Sequence, residues 1–303
     1  MPMQSATVAD IQRLKYSNMN DKKLPVGLYL VSTPIGAARD ITLRALDILA
    51  NADVLAAEDT RNTRRLLDIH GIALGSRRII PYHDHNGSKQ RPKLIDAIQN
   101  GQTVAYVSDA GTPLIADPGY GLAKEAGKQG LDVFAAPGAS ALLAALVVSG
   151  MPTDRFMFAG FAPNKQKAKQ SFLQEFAELQ STLVLYESPK RVCDTLEHMI
   201  KIYGPSRQVA LCRELTKKFE QIFRGTLEDV LAQLKEVTTI KGECVLVLGP
   251  PVAKIISDAQ IEDKIRELLG EHKVKAVAQI AADEFNIPRK QAYEIALKVK
   301  DNT

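Results

Sequence analysis

The first half of the chain alternates short aliphatic runs with longer stretches of helical periodicity. The aliphatic runs predict five strands, and Gly, Pro, Asn or Asp marks each change of pattern. The predicted strands are 28–32, 53–57, 78–82, 103–107 and 132–136. Gly71 and Gly101 each follow a helical segment, where a left-handed C-terminal residue favours glycine. Strands that alternate with helices in this way indicate an α/β fold with a parallel sheet.

The second half contains five more apolar runs but fewer helical stretches. The runs are FMFAG, TLVLY, QVALC, QIFRG and ECVLVLG. Only the residues from Arg213 to Glu220 separate the third run from the fourth, which is too short for a helical crossover. We therefore expect a second, mixed sheet. The boundary between the two halves is expected at Gly150–Asp154, where an apolar helix ends and Met151–Pro152 restarts the chain.

After Leu248, a proline-containing connector leads to a segment that is helical as far as Lys300. Its pattern predicts two amphipathic helices joined near Phe285–Pro288, with Pro288 in the first helical position, as in a helix-turn-helix. The predicted organisation is a disordered tail over residues 1–23, an α/β domain over 24–150, a second α/β domain with a mixed sheet over 151–249, and a helical helix-turn-helix-like domain over 258–303.

The composition of the chain excludes some classes of protein but does not indicate a function. The net charge of +4 permits attraction to phosphate without proving it. No apolar run approaches the roughly 20 residues of a membrane span, and the first residues are polar, so we expect a cytoplasmic protein without membrane contact. The three cysteines are far apart and form no CxxC pair, so neither a disulfide framework nor a metal site is expected.

Five unusual loops follow the strands of the first half. They are TPIG from Thr33, EDTR from Glu58, HDHN from His83, SDAGTPLIADPGYG from Ser108 and PGAS from Pro137. Because the carboxyl ends of parallel strands meet at one edge, we expect these loops to form a single binding site. The loop after the first strand has one glycine, so it lacks the GxGxxG dinucleotide signature, and GLAKEAGK has the wrong spacing for a phosphate-binding loop.

The motifs TPIG, AAEDTR, HDHN, VSDAGTPLIADPGY, PGAS, YESP, RELTK and KGE, in this order, resemble those of the tetrapyrrole-methylase-like family, and in particular its members that methylate ribosomal RNA. The resemblance covers Gly27 to about Leu248, and the helical tail is similar to the small C-terminal domain of those members. It implies a two-domain class III methyltransferase fold, S-adenosylmethionine in the cleft between the domains, and a homodimer. The implied reaction is 2′-O-methylation of a cytidine ribose in 16S rRNA, in the decoding region of the small ribosomal subunit.

The resemblance also implies cofactor contacts at the matching positions. These positions are Pro34, Ile35, Ser108, Asp109, Ala110, Gly111, Thr112, Ile115, Ser140, Ala141, Tyr186, Glu187, Arg213, Leu215 and Thr216.

A ribose hydroxyl titrates far above neutral pH, so a general base or a polarising cation would help the reaction. The candidates are Glu58, Asp59, Arg61, His85 and Lys217. We favour Glu58 and Asp59 with Arg61, because two adjacent acids followed by arginine at a rigid strand end are costly to bury without a purpose.

Basic residues predict where RNA would bind. The stretch from Phe161 to Arg224 contains eleven Lys or Arg against seven Asp or Glu. Its candidate phosphate contacts are Lys165, Lys167, Lys169, Lys190 and Arg191. The stretch from Pro251 to Thr303 has nine residues of each sign, so DNA recognition is not expected there, and contact with folded RNA or a ribosomal surface is favoured.

Two other functions are consistent with parts of this pattern. A protein of the same fold could methylate a tetrapyrrole or a protein side chain, but the extra helical domain and the basic second domain argue against a small acceptor. A non-catalytic regulator that binds nucleic acid through its C-terminal helices would leave the five loops unexplained.

Overall fold

The computed structural model describes residues 23–83, 86–116, 119–237, 239–251, 258–285 and 287–301. The chain divides into two compact units, of which the first ends at Pro251 and the second comprises the described residues from Asp258 onward. Apart from Lys23, the predicted N-terminal tail lies outside the described residues. Within the described ranges, no helix has the length and apolar character needed to cross a membrane.

Five parallel strands form the first sheet, in the order β3-β2-β4-β1-β5. They are β1 (Gly27–Val31), β2 (Val54–Ala57), β3 (Ile79–Pro81), β4 (Thr103–Val107) and β5 (Val133–Ala136). Every residue of β4 is buried, as is typical of a central strand with helices on both faces. The five strands predicted from the sequence are confirmed to within one residue at each end.

The helices of the first half begin and end where the sequence chemistry favours it. They are α1 (Leu43–Asn51), α2 (Thr60–Ile69), α3 (Gly87–Gln99), α4 (Tyr120–Lys128) and α5 (Ala141–Ser149). Thr42 caps α1 by accepting a hydrogen bond from the Ala45 N–H at 3.1 Å. Helices α1 and α2 cover one face of the first sheet, and α3 and α4 cover the other.

Helix α5 connects the two halves of the first unit. Its residues Leu142, Ala145 and Leu146 pack against Val184 and Val247 of the second sheet rather than against the first. This packing explains why the two sheets belong to one compact unit. The domain boundary expected at 150–154 therefore stays a prediction.

The second sheet is mixed, in the order β6-β7-β10-β8-β9. Its strands are β6 (Phe156–Phe161), β7 (Thr182–Glu187), β8 (Gln208–Arg213), β9 (Gln221–Thr226) and β10 (Cys244–Leu248). Strands β6 and β7 are parallel and the other pairs are antiparallel, including β8 with β9, as the short connection between them predicts. Helix α5 lies on one face, and α6 (Gln166–Gln174), α7 (Val192–Tyr203) and α8 (Leu227–Glu236) pack on the other.

The C-terminal unit consists of three helices, α9 (Asp258–Leu269), α10 (Val274–Phe285) and α11 (Arg289–Asp301). They pack around small residues, including Ala281 and Ala296, which allow the helices to approach closely. Pro288 lies one position before the helix rather than in its first turn, and its carbonyl accepts a hydrogen bond from the Ala292 N–H at 3.0 Å.

Candidate functional site

Hydrogen bonds tie the loops after β1 and β4 to each other at the carboxyl edge of the first sheet. Thr33 and Gly111 form an antiparallel bridge, with N–H to carbonyl distances of 3.0 and 3.1 Å in the two directions. The Thr33 hydroxyl also donates to the Ser108 carbonyl at 3.1 Å. Because β1 and β4 are adjacent central strands, this bridge fixes the long loop directly over the middle of the sheet.

The same loop is tied to its neighbours on both sides. The Asp59 N–H donates to Asp109 Oδ1 at 2.9 Å, which joins it to the loop after β2. The Thr112 hydroxyl donates to the Ala139 carbonyl at 3.0 Å, which joins it to the loop after β5. Four of the five predicted loops are therefore connected, and the fifth contains Asp84 and His85, which lie outside the described residues.

The backbone of this loop adopts unusual conformations. Leu114 and Ala116 have positive φ values of 71° and 59°, a conformation that is strained for residues with a side chain. Gly111 has a φ of 83°, and a Cβ added there would lie 3.3 Å from Cγ2 of Ile35. Backbone strain of this kind concentrates at ligand sites, where surrounding structure maintains it.

A cavity of about 360 Å³ lies between these loops and the end of the second sheet. That volume falls in the range of small-molecule sites. Its lining comprises Ile35, Glu58, Asp109, Ala110, Gly111, Thr112, Ile115, Ala116, Ser140, Ala141, Phe161, Tyr186, Glu187, Ser188, Pro189, Gly242, Glu243, Cys244 and Val245.

The cavity combines an apolar wall with acidic groups. Four acidic residues line it, namely Glu58, Asp109, Glu187 and Glu243, and the described lining contains no Lys, Arg or His. The Glu187 carboxylate is buried against Arg191 and Glu243 pairs with Lys217, so Glu58 and Asp109 contribute most of the acidic character. A site of this composition favours a ligand that carries positive charge on a largely apolar body. Cys244 borders the cavity at the start of β10, but its side chain packs with Leu246 and Leu248 in the core on the helix-covered face of the second sheet, where burial raises the pKa of the thiol to about 12.

Tyr186 forms the wall contributed by the second sheet. Its hydroxyl accepts a hydrogen bond from the Leu142 N–H at 3.2 Å, in the first turn of α5. Its ring lies in edge contact with Phe158 and Phe161, at centroid distances of 4.8 and 5.5 Å. The tyrosine therefore links the helix that follows PGAS to the sheet that carries YESP.

Next to Tyr186, the buried carboxylate of Glu187 is held by donors from the protein itself. Oε2 accepts from the Thr195 hydroxyl at 2.6 Å and from Arg191 Nη2 at 3.2 Å, while Oε1 accepts from the Ser188 N–H at 2.7 Å. Thr195 in turn accepts from Lys169 Nζ at 3.0 Å. We call Glu187, Arg191, Thr195, Lys169 and Asp194 the buried ionic network.

The network corrects two of the predicted RNA contacts. Lys169 is only 2% exposed, and its ammonium lies 2.6 Å from Asp194, so it cannot meet a phosphate. Arg191 turns inward, where it donates to the Ala162 carbonyl and to the side chain of Asn164 as well as to Glu187. Its guanidinium therefore joins the end of β7 to the segment after β6. The other three predicted contacts, Lys165, Lys167 and Lys190, are exposed.

Ten of the fifteen predicted cofactor contacts line the cavity: Ile35, Asp109, Ala110, Gly111, Thr112, Ile115, Ser140, Ala141, Tyr186 and Glu187. The other five are Pro34, Ser108, Arg213, Leu215 and Thr216, and they lie outside its lining. Ser108 is buried and its hydroxyl donates to the Gly111 carbonyl, while Thr216 accepts from the Ala37 N–H at 3.1 Å. Cofactor contacts at all fifteen positions stay predictions.

The catalytic candidates occupy different environments. Glu58 lines the cavity. Asp59 caps α2 and pairs with Arg61 at 2.6 Å, and hydrogen bonds from Arg61 lower the pKa of Asp59 to about 2. A carboxylate with that pKa is a weak base, so the structure argues against Asp59 as the general base. His85 lies outside the described residues.

Lys217 is held by two carboxylates. Its ammonium lies 2.8 Å from Glu214 and 3.1 Å from Glu243. Although burial lowers the pKa of Lys217, its hydrogen bonds to these two carboxylates outweigh that effect and raise the pKa overall. Lys217 therefore suits a polarising cation better than a general base.

Sequence reasoning missed the part of the cavity formed by β10 and by the end of β6. Gly242, Glu243, Cys244 and Val245 line it, as does Phe161. The KGE motif lies at this position and could have indicated it. Phe161 has no comparable signal in the sequence, because its position depends on the pairing of β6 with β7.

Comparison with known proteins is consistent with this geometry. Residues 27–231 match the tetrapyrrole (corrin/porphyrin) methylases, and residues 256–300 match the RsmI C-terminal HTH domain. The chain is 44% identical to ribosomal RNA small subunit methyltransferase I of Mesorhizobium japonicum, covering 93% of this chain and 95% of that protein. It is 42% identical to the protein of the same name from Halalkalibacterium halodurans, covering 92% and 96%.

A solved structure shares the fold of the first unit. The uroporphyrin-III C-methyl transferase of Thermus thermophilus, complexed with S-adenyl homocysteine, aligns with a TM-score of 0.51 and 21% identity, over 74% of this chain and 97% of that chain.

Proposed function

This chain belongs to the tetrapyrrole methylase family and is a methyltransferase, and we propose that it transfers a methyl group from S-adenosylmethionine to ribosomal RNA. The observation that carries the proposal is the acid-lined cavity at the loops after the first sheet. The names of the curated relatives support the choice of acceptor, because they designate enzymes of small-subunit ribosomal RNA.

The cavity suits S-adenosylmethionine in size and charge. Carboxylates and an apolar wall fit a sulfonium, and the tight backbone at Gly111 allows main-chain groups to approach a ligand. Tyr186 and the start of α5 would enclose the cofactor from the other side. When bound, the cofactor supplies an activated methyl group, and the protein then has to exclude water and hold the acceptor oxygen in line.

We propose that the acceptor is the 2′-hydroxyl of a cytidine in 16S rRNA, in the decoding region of the small subunit. Of the acids favoured from the sequence, Glu58 is the one that lines the cavity, so it is the preferred base. Arg61 is 88% exposed, pairs with Asp59 and interacts electrostatically with Asp109. It would contact a phosphate beside the acceptor.

RNA would reach the cavity over exposed cations. Lys165 and Lys167 belong to the segment after β6, which contributes Phe161 to the cavity, and Lys190 follows the lining residue Pro189. These three lysines are the proposed phosphate contacts of the second sheet. The reaction would take place in the cytoplasm.

We also propose that the protein acts as a homodimer. Leu143 and Val147, one helical turn apart on α5, are 49% and 73% exposed, and together they present an apolar surface that a second copy of the chain would cover. Sedimentation of the wild type and of Val147→Glu tests this, because a charge in the interface should shift the protein to the monomer. A wild-type monomer would contradict the proposal.

Label transfer from radioactive S-adenosylmethionine tests the proposed activity. The acceptors are small ribosomal subunits, free rRNA, ribosomal protein and a porphyrinoid. We expect label in the RNA, at a nucleotide whose 3′ linkage then resists alkaline cleavage because its 2′-hydroxyl is blocked. Label in protein or porphyrinoid alone would refute the RNA assignment, and label in a base would refute the ribose assignment.

Glu58→Gln tests the choice of base. This variant should retain binding of S-adenosylhomocysteine while turnover falls by about two orders of magnitude, the usual contribution of general-base catalysis. Unchanged turnover would exclude Glu58 as the base.

A further inference from the structure

The C-terminal unit carries a groove lined by basic residues, although the composition of the unit is balanced in charge. The stretch from Pro251 to Thr303 has equal numbers of basic and acidic residues. The groove, about 680 Å³ in volume, nevertheless contains Arg266, Lys273, Lys275 and Lys300 together with His272, and its described lining includes no carboxylate residue. The helices therefore separate charges that the sequence intermixes, and we call this surface the basic groove.

Helix geometry explains how the groove acquires this composition. Tyr293, Leu297 and Lys300 recur at the four- and three-residue spacings that share one face of α11, and Ala292, Ala296 and Val299 point to the core on the neighbouring face. Lys273 and Lys275 come from the beginning of α10, and Arg266 comes from the end of α9. All three helices therefore contribute a cation to one concave surface.

Most of these cations are available to a ligand. Arg266 pairs with Asp263 at 2.6 Å on the surface. Within the described residues, Lys273, Lys275 and Lys300 form no ion pair closer than 4.0 Å. Surface pairs such as that of Arg266 contribute little stability, so even this side chain can exchange its partner for a phosphate.

The groove also exposes an aromatic ring among the cations. Tyr293 is 42% exposed and Leu297 beside it is 38% exposed. Cations that follow a backbone, combined with an aromatic face on which a base can stack, are the combination that binds single-stranded nucleic acid. An acidic peptide would use the cations but would leave the ring without a partner.

We propose that the basic groove binds a single-stranded segment of RNA, with its lysines on the phosphates and one base stacked on Tyr293. The choice of RNA as the ligand rests on the proposed function. The inference deepens that function, because it assigns the C-terminal unit a surface that binds the RNA substrate. The surface differs from the one a helix-turn-helix presents to DNA, which would use the first turn of α11 with Arg289 and Lys290.

The test is the binding of the full-length protein to a fluorescent single-stranded RNA of about 12 nucleotides, followed by anisotropy over a range of salt concentrations. Neutralising both lysines in Lys273→Gln/Lys275→Gln should weaken binding and reduce the slope of log affinity against log salt by about 1.4, since each contact with a single strand contributes about 0.7. Arg289→Gln/Lys290→Gln removes the same charge from the same unit outside the groove, and its slope should match the wild type.

Stacking is tested separately. Tyr293→Ala should weaken binding about fivefold or more, whereas Tyr293→Phe keeps the ring and should bind like the wild type. The inference is overturned if Tyr293→Ala binds the RNA normally, or if Arg289→Gln/Lys290→Gln loses as much affinity as Lys273→Gln/Lys275→Gln. It is also overturned if polyglutamate of the same charge binds the wild type as tightly as the RNA does, because the ring would then contribute nothing.

The binding assay distinguishes this inference from the proposed function. If Lys273→Gln/Lys275→Gln binds RNA like the wild type while methyl transfer to rRNA is normal, the inference about the basic groove is refuted and the proposed function is not. If Lys273→Gln/Lys275→Gln weakens RNA binding as expected but the protein transfers no methyl group to any RNA, the inference about the basic groove is supported and the proposed function is refuted.

Discussion

The buried ionic network gives a prediction whose size can be worked out from its geometry. Thr195 is fully buried, and its hydroxyl donates to Glu187 at 2.6 Å and accepts from Lys169 at 3.0 Å. Thr195→Val keeps the shape of the side chain and removes both bonds. Hydrogen bonds to charged groups contribute about 1.5–3 kcal/mol each, and the surviving contacts of Lys169 with Asp194 and of Glu187 with Arg191 offset part of the loss.

We therefore expect Thr195→Val to lose about 2–3 kcal/mol of unfolding free energy, which lowers the melting temperature by roughly 5–10 °C for a unit of this size. Because Glu187 fixes the strand end that carries Tyr186, the Kd for S-adenosylhomocysteine should rise about tenfold, or about 1.4 kcal/mol. The Kd for RNA should not change. The measurements are thermal unfolding and calorimetric titration with S-adenosylhomocysteine.

Two variants control for packing. Thr195→Ser keeps the hydroxyl and loses only a methyl group, so it should retain most of the cofactor affinity. Thr182→Val removes a 2.6 Å bond from another fully buried threonine to the Pro152 carbonyl, a neutral interaction, and should cost only about 1 kcal/mol with no effect on the cofactor. If Thr195→Ser weakens cofactor binding as much as Thr195→Val does, the hydroxyl is not what holds Glu187 and the reasoning is wrong.

Two further predictions concern the loops of the first sheet. Gly111→Ala and Gly101→Ala both introduce a side chain at a φ of 83° and should lose similar stability, but only the Cβ at position 111 meets a neighbour, Ile35 at 3.3 Å. Only Gly111→Ala should therefore weaken binding of S-adenosylhomocysteine in the same titration, and equal affinities would contradict the close approach. For Asp59, the pKa of about 2 lies below the ordinary value of 3.8, so its stabilising contribution is present above about pH 4 and declines as the pH falls through the folded pKa. The difference in unfolding free energy between wild type and Asp59→Asn, from urea titrations, should shrink below about pH 4, and a constant difference at all pH values would show that the ion pair with Arg61 does not stabilise the fold.

The sequence predicts the strands well because each one carries its own signal. All five residues of TVAYV are apolar or β-branched, and all are buried. The direction of each predicted strand then decides which loop lies at its carboxyl end. The positions of loops relative to one another need no further information in a parallel sheet, since the carboxyl ends share an edge. This is why most of the cofactor positions assigned by resemblance lie around one cavity.

Side-chain roles in the second sheet were harder to predict, because they depend on contacts between distant segments. Lys165, Lys167 and Lys169 look alike in sequence, yet only Lys169 shares a buried helix face with Leu173, four residues later, and meets Asp194 from α7. The helical period could have separated it from the other two lysines. Nothing in the local sequence around Arg191 shows that its guanidinium turns toward Glu187, because that depends on the turn between β7 and α7.

The alternation of side chains along β10 has a consequence for chemical labelling. Cys244 borders the cavity, yet its side chain packs with Leu246 and Leu248 in the core on the helix-covered face of the second sheet. Alkylating reagents attack the thiolate, and burial raises the pKa of this thiol to about 12. Alkylation of Cys244 therefore reports unfolding of the second sheet rather than access to the cavity.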